Sequence, residues 1–187
     1  VSFNVENQLR IFDLTHEIPA YNIWEASYRL YQTAAYWPQG TVFVNVVDPG
    51  VGTARKSVVL KTKTGQYFVS PDNGSLGLVA QKFGIESVRE IDESVNRLKG
   101  SAGSSYTFHG RDVYAYTGAR LAAGVITFAE VGPELPKQVE SIPYQKPEVK
   151  NDELLGNIPI LDIQYGNVWS NINSDLLEQI KVKTGDV

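Results

Sequence analysis

The chain is 187 residues long, with 42% hydrophobic, 20% charged and 11% aromatic residues and neither cysteine nor methionine. A chain of this length buries roughly 70% of its unfolded surface, enough for a self-supporting core, and the composition excludes disorder and a collagen repeat. The lack of cysteine removes a disulfide scaffold, a thiolate zinc site and a cysteine nucleophile. With 17 basic against 21 acidic residues the net charge is −4, and no stripe of Lys and Arg suggests nucleic acid. No apolar run reaches the ~18 residues of a membrane span and nothing reads as a signal peptide, so a cytoplasmic globular protein with no membrane partner is expected. The chain opens at Val1-Ser2-Phe3 without a methionine. That points to a piece of a longer protein, or to methionines lost from the written sequence.

Along the chain, Ile11–Leu14 is a short apolar run before Thr15-His16-Glu17. From Asn22 to Thr33, Ile23, Ala26, Leu30 and Ala34 recur at helical spacing, and Pro38-Gln39-Gly40 follows as a stop. Thr41–Val47 is almost wholly apolar and β-branched, which predicts a strand buried on both faces. It ends at Asp48-Pro49-Gly50-Val51-Gly52-Thr53. Ser57–Lys61 and Gln66–Ser70 read as a hairpin around Thr64-Gly65, then Leu76–Phe83 as a helix and Glu86–Ile91 as a strand. A Gly/Ser loop, Gly100–Ser105, leads through Tyr106 to Thr107-Phe108-His109-Gly110-Arg111-Asp112, and Val113–Ala123 reads as a helix of small residues. Strands alternate with helices, so an α/β domain with a central, mostly parallel sheet is expected over 1–137. Four prolines (Pro133, Pro136, Pro143, Pro147) and the charged run Lys150–Glu153 suggest a linker over 138–155. Asn157–Ile163 and Val168–Ile172 then read as strands around Tyr165-Gly166-Asn167, the start of a β-rich second domain over 156–187, with a short element at Leu176–Val182.

The polar residues collect where strands end, at Asp48–Arg55, Asp72-Asn73 and His109–Asp112. Open α/β sheets place ligands beyond their carboxyl edges, so these loops are candidates for one crevice. Each has a plainer reading as well. His16 can anchor its loop, Asp72-Asn73-Gly74 is a turn sequence, and Asp112 suits the first turn of a helix. Gly50 and Gly52 lack the spacing of a phosphate loop.

Five segments taken in order carry a resemblance. They are Asp13-Leu14-Thr15-His16; Asp48-Pro49-Gly50-Val51-Gly52-Thr53 with Arg55; Pro71-Asp72-Asn73-Gly74; Thr107–Asp112; and Asp162 with Tyr165-Gly166-Asn167 and Asn171-Ile172. Together they resemble the S-adenosylmethionine hydroxide adenosyltransferases, relatives of fluorinase and chlorinase, over nearly the whole chain. The resemblance implies an N-terminal α/β domain and a C-terminal β-barrel domain, truncated here, without an initial strand whose loop binds ribose. It implies hydrolysis of S-adenosylmethionine by water at ribose C5′, giving adenosine and L-methionine without cofactor or metal, in a homotrimer whose sites lie between subunits.

The leaving group in that reaction is a neutral thioether departing from a sulfonium, so it needs no acid. Water, with a pKa of about 15.7, is the weak partner and must be held in line and polarised. The residues matching the family's water-activating triad are Asp48, Arg55 and His109. Asp162 is implied for the methionine ammonium, Asn167 for the adenine edge, and Tyr165 and Trp169 as aromatic walls. Tyr21 is implied near the ribose, and Phe108 precedes the triad histidine. Halogenases carry other residues in place of Asp48 and His109. A carboxylate beside a halide would repel it by on the order of 4 kcal/mol at ~4 Å and an effective dielectric of ~20. Three other readings stand beside hydrolysis: a sensor that binds without turnover, a halogenase, and a metal-dependent phosphoesterase built on His16, Asp48, Asp72, Asn73, His109 and Asp112.

Overall fold

A computed structural model describes residues 1–100, 107–163 and 165–185. The Gly/Ser loop ahead of Thr107 lies outside the described residues from position 101. The chain divides into two compact units, Val1–Ile142 and Pro143–Val187.

The first unit opens with a short helix α1 (Ser2–Val5) that packs on α4 (Tyr116–Ala122). Ile11–Leu14 forms no regular element, and Phe12 sets its ring edge-on to Trp37 at 5.2 Å. Helix α2 (Ile23–Ala34) starts where Asn22 accepts from the Glu25 amide at 3.0 Å, and it buries Ala26, Leu30 and Ala34 on one face. Strands β1 (Val42–Val44), β2 (Ser57–Thr62), β3 (Tyr67–Pro71), β4 (Ile85–Glu90) and β5 (Glu134–Leu135) form one sheet in the order β1-β3-β2-β4-β5. Helix α3 (Gly77–Phe83) links β3 to β4. The Gln66 side chain donates to the carbonyls of Ala34 (2.8 Å) and Trp37 (2.7 Å), so the hairpin turn satisfies acceptors left open at the end of α2.

This is an α/β unit, but the sheet is mixed. Among the described residues only β1–β3 is parallel; β2–β3, β2–β4 and β4–β5 are antiparallel. The tight connection through Thr64-Gly65 forces the antiparallel β2–β3 pair. The expected mostly parallel sheet is corrected accordingly. Alternation along β2 and β3 fills both sides. Val58, Leu60 and Phe68 pack with Leu30, Phe43 and Val79, while Val59 and Val69 pack with Val113, Tyr114 and Val131. Each fully buried valine or leucine here contributes about 1.5–3 kcal/mol. The expectation for Thr41–Val47 is also corrected. β1 is the edge strand among the described residues, with Val44 42% and Val46 54% exposed.

In the second unit, β6 (Glu148–Lys150) and β7 (Glu153–Leu155) form a hairpin inside the stretch expected to be a linker. Asn151 (φ 52°) and Asp152 (φ 60°) supply the two left-handed positions that a tight hairpin turn requires. Strands β8 (Ile160–Asp162) and β9 (Asn167–Trp169) form a second hairpin, and α5 (Ser174–Gln179) is capped by Asn173. Asn171 accepts from the Asn157 amide at 2.7 Å and donates to the Gln145 carbonyl at 3.1 Å, tying these pieces together. Among the described residues no helix is long and apolar enough to cross a membrane.

Candidate functional site

The sheet order explains why distant polar segments meet. β1 and β3 are parallel, and β2 runs against both β3 and β4. The ends of β1, β3 and β4 and the beginning of β2 therefore share one edge. Asp48 follows β1, Asp72 and Asn73 follow β3, Glu93 follows β4, and Arg55 precedes β2. His109 comes from the other direction. A π-helical turn (Gly110–Ala115) runs directly into α4, which lies against β1. A Cβ on Gly110 would stand 3.1 Å from Val46, and one on Gly118 2.6 Å from Val44. The two glycines, about two helical turns apart, let the helix approach the strand closely and deliver His109 to the edge.

At that edge Arg55 forks onto Asp48, with Nε donating to Oδ1 at 3.0 Å and Nη2 to Oδ2 at 2.5 Å. The side chains are only 11% and 7% exposed. This is a largely desolvated bidentate pair. Nη1 of Arg55 donates to the Ser57 hydroxyl at 2.8 Å, Ser57 shares a hydrogen bond with the Tyr114 hydroxyl at 3.1 Å, and Tyr114 donates to Asp48 Oδ2 at 3.3 Å. Burial pushes the Tyr114 phenol well above its ordinary range, so its hydroxyl stays protonated. His109 is nearly buried, and its Nε2 lies 3.2 Å from a Glu93 carboxylate oxygen, whose other oxygen accepts from Arg97 at 2.7 Å. A cleft of 290 Å³ opens here, walled by Gly52, Thr53, Arg55, Ser57, Glu93 and His109. Asp48 stands behind that wall, facing Arg55 and Tyr114.

The remaining expected residues are distributed otherwise. Asp72 accepts from the Glu140 amide at 2.8 Å, and Asn73 donates to the Val47 carbonyl at 2.9 Å, so both hold loops in place. Asp112 is buried and takes the Arg111 guanidinium. His16 pairs with Asp13 in full exposure. Among the described residues no three His, Asp or Glu side chains converge as a metal ligand set. Phe108 lies under the Arg111 guanidinium, 4.7 Å from ring to carbon. Tyr21 sits in the turn before α2 with φ 68° and is 74% exposed. In the second unit Asp162 and Asn167 are opposite each other across β8–β9, and the Trp169 indole donates to Asp162 at 3.3 Å, with Tyr165 exposed in the turn.

Residues 1–132 match the family described as the SAM hydroxide adenosyltransferase N-terminal domain. The chain belongs to this family. It is 40% identical over 166 residues to a protein of Methanocaldococcus jannaschii named (R)-S-adenosyl-L-methionine hydrolase, a match covering 89% of this chain and 55% of that one. A fluorinase of an Actinoplanes species is more distant, at 29% identity over 90% of this chain and 63% of its own. The chain thus spans little more than half the length of the first of these relatives and under two thirds of the second. An uncharacterized conserved protein from Thermotoga maritima superposes with a TM-score of 0.90 at 39% identity, over 99% of this chain and 68% of that one.

The residues of this cluster are partly visible in the sequence and partly hidden. Ser57, Tyr114 and Glu93 join the cluster without having been singled out. For Ser57 a signal exists, since Arg55 and Ser57 are two apart at the start of a strand and share a face. For Glu93, sixteen residues from His109, none does.

Proposed function

We propose that this family member hydrolyses S-adenosyl-L-methionine to adenosine and L-methionine. The observation that carries the reading is the desolvated Asp48–Arg55 pair beside a cleft that His109 and Arg55 both wall. A water oxygen forms a bond to ribose C5′ as the C5′–S bond breaks. The bonding pair returns to sulfur, which becomes a neutral thioether, and one water proton is released. Arg55 supplies fixed positive charge toward the developing hydroxide, and Asp48 and His109 are the groups of the set able to accept a proton. The relatives named as hydrolases support this reading over halide transfer, as does the carboxylate at Asp48.

Within the same proposal, Asp162 holds the methionine ammonium and Asn167 the adenine edge, with Tyr165 and Trp169 as walls; Tyr21 and Phe108 belong to the ribose side. What supports the first group is its gathering on one hairpin. The proposal includes a β-barrel second domain, homotrimeric assembly and a cytoplasmic setting, with no cofactor. Leu161 and Val168, 66% and 65% exposed, are apolar surface suited to being covered in such an assembly.

The test is incubation of the full-length protein with the substrate in ¹⁸O-water, with EDTA and without added halide. Adenosine labelled at the 5′ oxygen is expected, slowed by about 100-fold or more in His109→Ala. Unchanged substrate, or a halogenated nucleoside formed only when chloride is supplied, would overturn the reading.

A further inference from the structure

One buried side chain touches all three members of the expected triad. Tyr114 donates to Asp48 Oδ2 at 3.3 Å, its ring lies 5.6 Å beneath the Arg55 guanidinium carbon, and its ring centroid is 6.4 Å from that of His109. It is fully buried, and its hydroxyl also meets Ser57 at 3.1 Å. Asp48, Arg55, Ser57 and Tyr114 form a closed ring of hydrogen bonds, each side chain bonded to the next.

We propose that Tyr114 is a positioning residue for the hydrolysis, the fixed point against which the Asp48 carboxylate and the Arg55 fork are aligned. This rests on the hydrolase reading above. An isolated Arg–carboxylate fork can pivot as a unit about both side chains. A third donor on Oδ2, anchored by a ring buried in the same core cluster as Val59, Val69 and Val113, removes that freedom. The π-helical turn supplies the placement. It widens the helix between His109 and Tyr114, five residues apart, so both side chains face the sheet edge. Because burial keeps the phenol protonated, the hydroxyl remains a donor to Asp48 across the working pH range.

The test is a double-mutant cycle on the full-length protein with adenosine formation as readout. Tyr114→Phe keeps the ring and removes the hydroxyl. It is expected to lower kcat about tenfold with KM changed less than about twofold. In the Asp48→Asn background the same change is expected to lower kcat by less than about twofold, since the group through which Tyr114 acts is already altered. Equal losses in both backgrounds would show a general packing role and overturn the proposal, as would an unaffected kcat in Tyr114→Phe. Should Tyr114→Phe fail to fold, Ser57→Ala opens the ring at its other side. A roughly threefold loss in kcat at constant KM is expected there, and no loss overturns the proposal. A native protein that forms no adenosine defeats the hydrolase reading and this one together. Native turnover with an indifferent Tyr114 defeats this one alone.

Discussion

Arg55 and Asp48 are seven residues apart in a loop, yet they form one of the most desolvated ion pairs of the molecule. Removing one partner strands the other charge away from water. Arg55→Ala is therefore expected to destabilise the first unit by about 3 kcal/mol, measured by denaturant unfolding. Asp72 presents the opposite case. Burial raises its carboxyl above the ordinary aspartate range, although the Glu140 amide donates to it. The folded state then binds a proton more readily than the unfolded chain, so stability falls as pH rises through that window, and charged Asp72 is a burden at neutral pH. Asp72→Asn keeps an acceptor for the Glu140 amide. It is expected to raise the melting temperature at pH 7, with the gain vanishing near pH ~3, where both carboxyl forms are neutral. The association of Asp48 with Arg55 was legible through the family resemblance, which puts both in one triad. The burden on Asp72 was not, because burial belongs to the folded chain.

At the level of elements, α2 and the β2–β3 hairpin follow from periodicity, a cap at Asn22 and a glycine turn. The π-helical turn and the edge position of β1 do not, because both depend on what lies alongside. Gly118 shows how narrow the tolerance is where α4 crosses β1. A methyl group there would fall 2.6 Å from Val44, whose branched side chain has no long arm to swing aside. Gly118→Ala is expected to cost about 1–3 kcal/mol in thermal or denaturant unfolding despite alanine's better helix propensity. Gly132, after the 3₁₀ turn Phe128–Val131, is more constrained: at φ 151° an added Cβ would sit 2.2 Å from the Glu90 carbonyl. The hairpin at Glu148–Leu155 was missed because its strands are short and charged. Its signal was the pair Asn151-Asp152, two residues that tolerate left-handed backbone.

On the scale of the whole molecule, the change of unit falls between Ile142 and Pro143. Lys137 is exposed just before it, and Lys150 is exposed at the turn of the β6–β7 hairpin. Brief trypsin digestion is expected to cut at Lys137 or Lys150 before cutting in β2, β3 or β4, as read by mass spectrometry, because those strands are paired and buried. By itself the sequence determined the local elements with strong periodicity or turn chemistry, the α/β class, and the ordered set of motifs that marks the family. Those depend on neighbours in the chain, or on residue types kept together in one order. Only the tertiary structure decided the mixed sheet, the union of Asp48 with Tyr114, and the approach of Glu93 to His109. Such contacts join residues 16 to 66 positions apart, and no local spacing encodes them. They arise when a parallel strand pair, a reversed neighbour and a helix laid close on glycine bring separate loops to one sheet edge.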